Sequence, residues 1–167
     1  ARGFEDEPTV DAWARSVESI SQIADYARGL GIRCLLEPLQ RSESNIVTDA
    51  ESLYRLFDEL DAENIDIVLD LVAMAAAGDT VANYMARFGD RLTHVHIVDG
   101  TPAGHLVWGD GNLPLGAYLE QLGQAGFAGT FTFAPHGNAA YALDPFTAWK
   151  RNLEAASPYF AVQEKEA

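Results

Sequence analysis

Three short apolar runs in this chain each finish on, or beside, a side chain able to hold a divalent cation. Glu37 closes Arg33-Cys-Leu-Leu-Glu37, Asp70 closes Ile65-Asp-Ile-Val-Leu-Asp70, and His94 and His96 alternate along the run at 91–100, which ends on Asp99 and Gly100. Alternate residues of a strand point to the same face, so the two histidines share one. Carboxylate oxygens and an imidazole nitrogen are suitable donors for a divalent metal, provided neighbouring parallel strands bring them together.

The elements that must do this are legible as an alternation. Apolar positions at helical spacing (Trp13, Val17, Ile20, Ile23, Ala27 and Leu30) predict a helix over 10–30 closed by Gly31, and an apolar strand is expected over 32–39. After a polar loop, Thr48 and Glu51 form an expected capping box for a helix carrying Leu53, Leu56 and Leu60. A second strand is expected over 65–72, then a helix capped by Asp79 or Thr80 and stopped by Gly89. The histidine strand follows, then a Gly-rich loop over 101–113, a helix opening at Pro114, a strand over 129–133, and a last helix opening at Asp144-Pro145. Residues 4–8 and the tail past Ser157 are expected to be a loop and a frayed end.

The order αβαβαβαβα, with strands too apolar to face water on either side, predicts parallel strands covered by helices. A doubly wound sheet would often carry a glycine-rich phosphate turn after its first strand, and none is present. A (β/α)8 barrel places its chemistry at the C-terminal strand ends, where Glu37, Asp70 and His96 fall. The expected fold is therefore α/β, four βα units forming the C-terminal half of a (β/α)8 TIM barrel, with 1–167 as one domain. A full barrel takes about 250 residues, and the first residue is Ala rather than Met. The chain is thus expected to be a processed product or fragment that either lost its first half or pairs with another chain.

Composition narrows the partners. A net charge of −14 argues against nucleic acid and anionic membranes, both of which select basic surfaces. No apolar run reaches eighteen residues and no signal peptide is evident, so a cytoplasmic location is expected. The single cysteine, Cys34, reads as a small buried hydrophobe.

Four segments in order carry a likeness: Leu36-Glu-Pro-Leu-Gln-Arg-Ser-Glu-Ser-Asn45, Leu69-Asp-Leu-Val-Ala-Met74, His94-Val-His-Ile-Val-Asp99 and Trp108-Gly-Asp-Gly111. With them the chain resembles the xylose-isomerase-like family of sugar isomerases and epimerases, nearest its ketose 3-epimerase and fructoselysine 3-epimerase branch, from Trp13 to about Leu153. The resemblance implies a divalent metal (Mn²⁺, Mg²⁺ or Co²⁺) held by Glu37, Asp70, His96 and a second glutamate after the last strand. It also implies an epimerase passing through an enediolate, with the two glutamates as acid and base, and Glu37 as the base here. A small-molecule sugar is the implied substrate, and a homo-oligomer is expected.

The fourth ligand position holds Ala134. That residue is open to three readings: an introduced change, divergence toward an inactive or altered enzyme, or substitution by His136 as ligand. The family's free-ketohexose members carry a histidine and an arginine where this chain has Ala73 and Pro102, which leans toward a modified sugar. Arg41 and Glu43 match the family's substrate-side loop, and Asp99 and His105 are the remaining candidates for sugar contact, Asp99 weighed equally against a loop-capping role. His94 is expected to be a packed, hydrogen-bonded neighbour and Trp13 a helix-packing residue. A metal-dependent abasic-site endonuclease, the rival within the family, is disfavoured by the charge of −14, and a non-catalytic sugar-binding or structural half-barrel is the rival from another class.

Overall fold

A computed structural model describes residues 9–102 and 104–160; the expected acidic loop at 4–8 and the end of the charged tail lie outside the described residues. Helix α1 (Val10–Gly29) leads into β1 (Cys34–Leu36), then α2 (Ala50–Leu60), β2 (Ile65–Asp70), α3 (Leu71–Ala77), α4 (Val81–Phe88) and β3 (Leu92–Ile97). The remaining elements are α5 (Leu115–Gln124), β4 (Thr130–Phe133), α6 (Ala139–Leu143) and α7 (Pro145–Ala156). All three strand pairings are parallel and the sheet runs β1-β2-β3-β4. Sequential order without reversal is what a barrel wall gives, whereas a doubly wound sheet reverses its order at a switch point. Four βα units make half the complement of a (β/α)8 barrel.

Local chemistry explains the element boundaries. Thr9 Oγ1 accepts from Ala12 N at the start of α1, and Thr80 Oγ1 from Asn83 N at the start of α4. The capping box of α2 is shifted by one residue from its expected position. Asp49 Oδ1 accepts from Ser52 N at 2.8 Å, and Ser52 Oγ accepts from Asp49 N at 3.3 Å. Thr48 and Asp49 are both capping types, and the charged one takes the N-cap position, where a negative charge also meets the helix dipole. The expected second strand stops at Asp70 rather than Val72, because Asp70 itself caps α3. Residues 71–74 are fully buried, so no helical period shows in the sequence there.

The helices cover one face of the sheet. Leu69 and Val95 pair in register on that face with Phe131, and Leu53, Leu71 and Tyr84 join them in the core. Trp13 lies in this cluster as expected, its Nε1 donating to Glu59 Oε2 at 2.8 Å and Arg55 lying over its ring. The opposite face departs from expectation. Only β2 is buried throughout; Leu35 on β1 is 44% exposed, and Thr130 and Thr132 on β4 are exposed. The apolar-on-both-sides reading therefore holds for β2 alone, and Cys34 beside Leu35 is half-buried rather than buried. Among the described residues no helix is long and apolar enough to cross a membrane.

Candidate metal centre

The face left open by the helices carries the polar residues. Register puts Val68, His94 and Thr130 in one row and Asp70, His96 and Thr132 in the next, nearer the C-terminal strand ends. Glu37 follows the last residue of β1 and reaches this second row. Its Oε1 accepts from His96 Nδ1 at 2.7 Å. One ligand atom from each of Glu37, Asp70 and His96 lies within 4.8 Å of the others, so the structure brings together the three donors read from the sequence.

Asp70 is the anchor of this group. It is 1% exposed, and Oδ1 accepts from Ala73 N at 2.7 Å as the cap of α3. Its other oxygen, Oδ2, is buried without a hydrogen-bond partner. Two imidazole nitrogens stand just beyond hydrogen-bond reach of it, His105 Nε2 at 3.6 Å and His96 Nδ1 at 3.7 Å. Burial pushes the Asp70 carboxyl up, but His105, His96 and the Ala73 N–H outweigh it and hold the group down at about 2. The same carboxylates, Asp70 first and then Glu37, raise His96 to about 9. Burial pushes His105 down, yet Asp70, with Glu43 and Glu37 behind it, carries it above its ordinary value.

These features fit a divalent cation. A buried carboxylate oxygen with no hydrogen-bond partner is costly unless something positive meets it. Without an ion, the raised His96 supplies that charge as an imidazolium; a cation bound by the same three donors would replace the proton.

The other sequence candidates fall in different places. Asp99 does not face the donor group: it is 1% exposed and its carboxylate accepts from the backbone N–H groups of Gly100, Gly109, Gly111 and Leu113. This corrects its place among the sugar contacts, and of the two roles weighed for it the loop-holding one is built. It also accounts for the Trp-Gly-Asp-Gly motif. Gly109 has φ +93, and a Cβ on Gly111 would collide with Asp99 Oδ1 and the Gly100 backbone. Asp110 joins Arg151 and Tyr141, while Trp108 N donates to Asn152 Oδ1 at 2.8 Å, tying the loop to α7.

His105 lies inside the site with an 11% exposed side chain, against Asp70. Arg41 lines a cleft with Gln40, Thr48, Asp49 and Ala73 that does not include the three donors. His94 behaves as expected, its Nδ1 lying 2.7 Å from Thr130 Oγ1 and its ring edge-on to His96. Ala134 is two residues beyond Thr132, which pairs with His96. His136 is not brought to the first three donors as their substitute ligand: it groups instead with Glu43 and His105. Beyond β4 the chain turns to hydrogen-bond His105 O through His136 N, and that turn sets the ring's direction.

The model of the xylose isomerase-like TIM barrel family matches residues 1–158. A fructoselysine 3-epimerase of Escherichia coli O157:H7 is 30% identical over 122 residues, covering 72% of this chain and 44% of its own length. Among solved structures, a D-allulose 3-epimerase from Methylomonas sp. superposes with a TM-score of 0.78 at 24% identity, covering 96% of this chain and 60% of that one. The IolI protein, solved with a bound zinc atom, superposes with a TM-score of 0.71 at 20% identity, covering 96% and 62%. The chain thus spans less than half the length of the curated relative and about three fifths of the solved structures. It belongs to the xylose isomerase-like TIM barrel family.

Proposed function

From that membership we propose that the chain forms the metal-binding side of a sugar isomerase or epimerase acting on a ketose or modified ketose. The single observation carrying this is the orphaned, buried Oδ2 of Asp70, set where Glu37 and His96 converge. Glu37, Asp70 and His96 would hold a divalent cation such as Mn²⁺, Mg²⁺ or Co²⁺, and zinc in the IolI relative supports a divalent ion in general. When bound, the ion would polarise the sugar's carbonyl and adjacent hydroxyl, which lowers the cost of removing the neighbouring carbon-bound proton.

The chain's own residues supply the rest. Glu37, half-buried at the end of β1, is the base that takes the proton from carbon. Glu43 and Arg41, on the loop after β1, and His105 are the proposed contacts to the sugar's hydroxyls. Epimerisation needs a second group to return a proton to the opposite face, and Ala134 offers none. Proton exchange should therefore outrun inversion. In deuterated buffer the expected result is deuterium at the carbon next to the carbonyl with little epimer formed, lost in Glu37→Gln. Metal analysis tests the ligand set: if Glu37→Gln and His96→Ala take up the same negligible Mn²⁺ as the unmodified chain, the reading fails.

The open face of the sheet favours a companion. Leu35, Thr130 and Thr132 would be covered by the complementary half of a barrel, contributed by further sequence of the same polypeptide or by a second copy. The second reading, a sugar-binding or structural half without turnover, draws on Ala134. It expects binding with no deuterium exchange even in Ala134→Glu.

A further inference from the structure

We infer that the chain carries a second divalent-cation site, formed by Glu43, His105 and His136 beside the first and suited to a borderline first-row ion such as Zn²⁺. One donor atom of each of the three lies within 4.8 Å of the others. Two imidazoles and one carboxylate, with room for water, form a set that zinc and similar ions accept.

Each donor is held from behind. His136 Nδ1 lies 3.1 Å from Ala134 O. A carbonyl can only accept, so Nδ1 carries the hydrogen and Nε2 is left with its lone pair free, the arrangement by which a backbone carbonyl orients a ligating histidine. The two histidine-bearing segments are locked together: His105 O accepts from His136 N at 3.0 Å and from Gly137 N at 2.6 Å, and the rings stack with centroids 4.0 Å apart. A side chain at Gly137 would meet the His105 backbone at 2.7 Å, so this approach requires glycine. Gln40, 6% exposed, holds the third donor, its backbone N donating to Glu43 Oε2 at 3.1 Å; its amide nitrogen, which can only donate, lies 3.3 Å from His105 Nδ1 and would yield that lone pair to a bound ion.

Electrostatics permits two ions here. His105 Nε2 stands 3.6 Å from Asp70 Oδ2, so the Asp70 carboxylate borders both groups and screens one cation from the other. The protein's charge of −14 further lowers the cost of a second dication. This site does not depend on the first being occupied, and an ion held there would take the place of direct contacts from Glu43 and His105 to the sugar.

Zinc titration by equilibrium dialysis, with circular dichroism to confirm folding, separates the outcomes. The unmodified protein should take up two ions. His136→Ala and Glu43→Gln alter exposed side chains and should each keep one, with the other weakened roughly 10–100-fold or more. His96→Ala should keep the ion that His136→Ala loses. Retention of one ion in His96→Ala and none in His136→Ala would uphold this site while sinking the first. Two ions in His136→Ala and Glu43→Gln, a single ion weakened by His96→Ala and His136→Ala alike, or no uptake at all would overturn it.

Discussion

Replacing Asp99 with asparagine changes one atom and should unfold the loop that carries His105. In the native chain Oδ1 accepts from Gly100 N at 2.8 Å and Leu113 N at 3.0 Å, while Oδ2 accepts from Gly109 N at 2.9 Å and Gly111 N at 3.2 Å. Asparagine keeps one acceptor oxygen and turns an amide NH₂ toward the other pair of N–H groups. Two charge-assisted hydrogen bonds are lost, two buried donors are left unmet, and the remaining pair loses its ionic partner. At about 1–3 kcal/mol for each stranded group the loss is about 4 kcal/mol, near the top of the range for one substitution. For a chain of this size that is a fall in melting temperature of roughly 8–16 °C. Urea denaturation and calorimetry on the metal-free protein measure it directly. A loss below about 1 kcal/mol would refute the loop-anchoring role. If stability were unchanged and sugar affinity fell instead, Asp99 would return to the substrate side.

Gly111→Ala should destabilise the same loop, since its methyl group would strike Asp99 Oδ1 and the Gly100 backbone; denaturation curves matching the native protein would contradict this. Ala134→Glu should restore a fourth ligand and a second base, raising Mn²⁺ affinity by about tenfold or more and producing epimer in the deuterium assay. No change in either measurement would show that 134 is not the missing position. In the metal-free protein, His96 raised from 6.5 to about 9 adds stability that is fully present below pH 6.5 and is lost as pH rises toward 9. That shift corresponds to about 3 kcal/mol. Asp70, lowered from 3.8 to about 2, adds stability present above pH 3.8 and lost as pH falls toward 2. The Asp70–His96 contact enters both shifts, so the two do not add, although His105 and the Ala73 N–H also lower Asp70 and Glu37 also raises His96. His96→Asn should flatten the denaturation midpoint between pH 6.5 and 9, and an unchanged slope there would count against the pairing.

The parallel architecture and the trio of Glu37, Asp70 and His96 could be read from the chain because each lies at the end of a run whose parity fixes its face. The four family segments added their order. Three features could not be read this way. Helix α3 is buried over its first residues, so hydrophobicity carried no period to betray it. The open sheet face was hidden because Leu35 and Val68 look alike in composition, while only the former lacks a neighbour covering it. The Asp99 role lay in the spacing of Gly109 and Gly111, two glycines an aspartate apart, a signal of close backbone approach that the sequence contained but that no periodicity rule reports. His136 failed as a substitute ligand for a different reason. Strand parity would have kept it on the face of Ala134, but β4 ends at Phe133 and the chain turns toward His105.

Asp66 and Asp70 show how one strand divides stability from chemistry. They sit four residues apart on β2, and both are buried. At the N-terminal end, Asp66 accepts from Arg33 Nε at 2.5 Å and Arg33 Nη2 at 2.6 Å, and Arg91 Nε lies 3.0 Å away. Its charge is met by two guanidinium groups. At the C-terminal end Asp70 has only a backbone N–H and two imidazoles, whose charge can leave with a proton. Arginine stays protonated at any working pH, whereas histidine gives up its proton to an incoming cation. The kind of base placed near each carboxylate, rather than the carboxylate itself, therefore decides which end of the sheet closes the fold and which end is left able to bind.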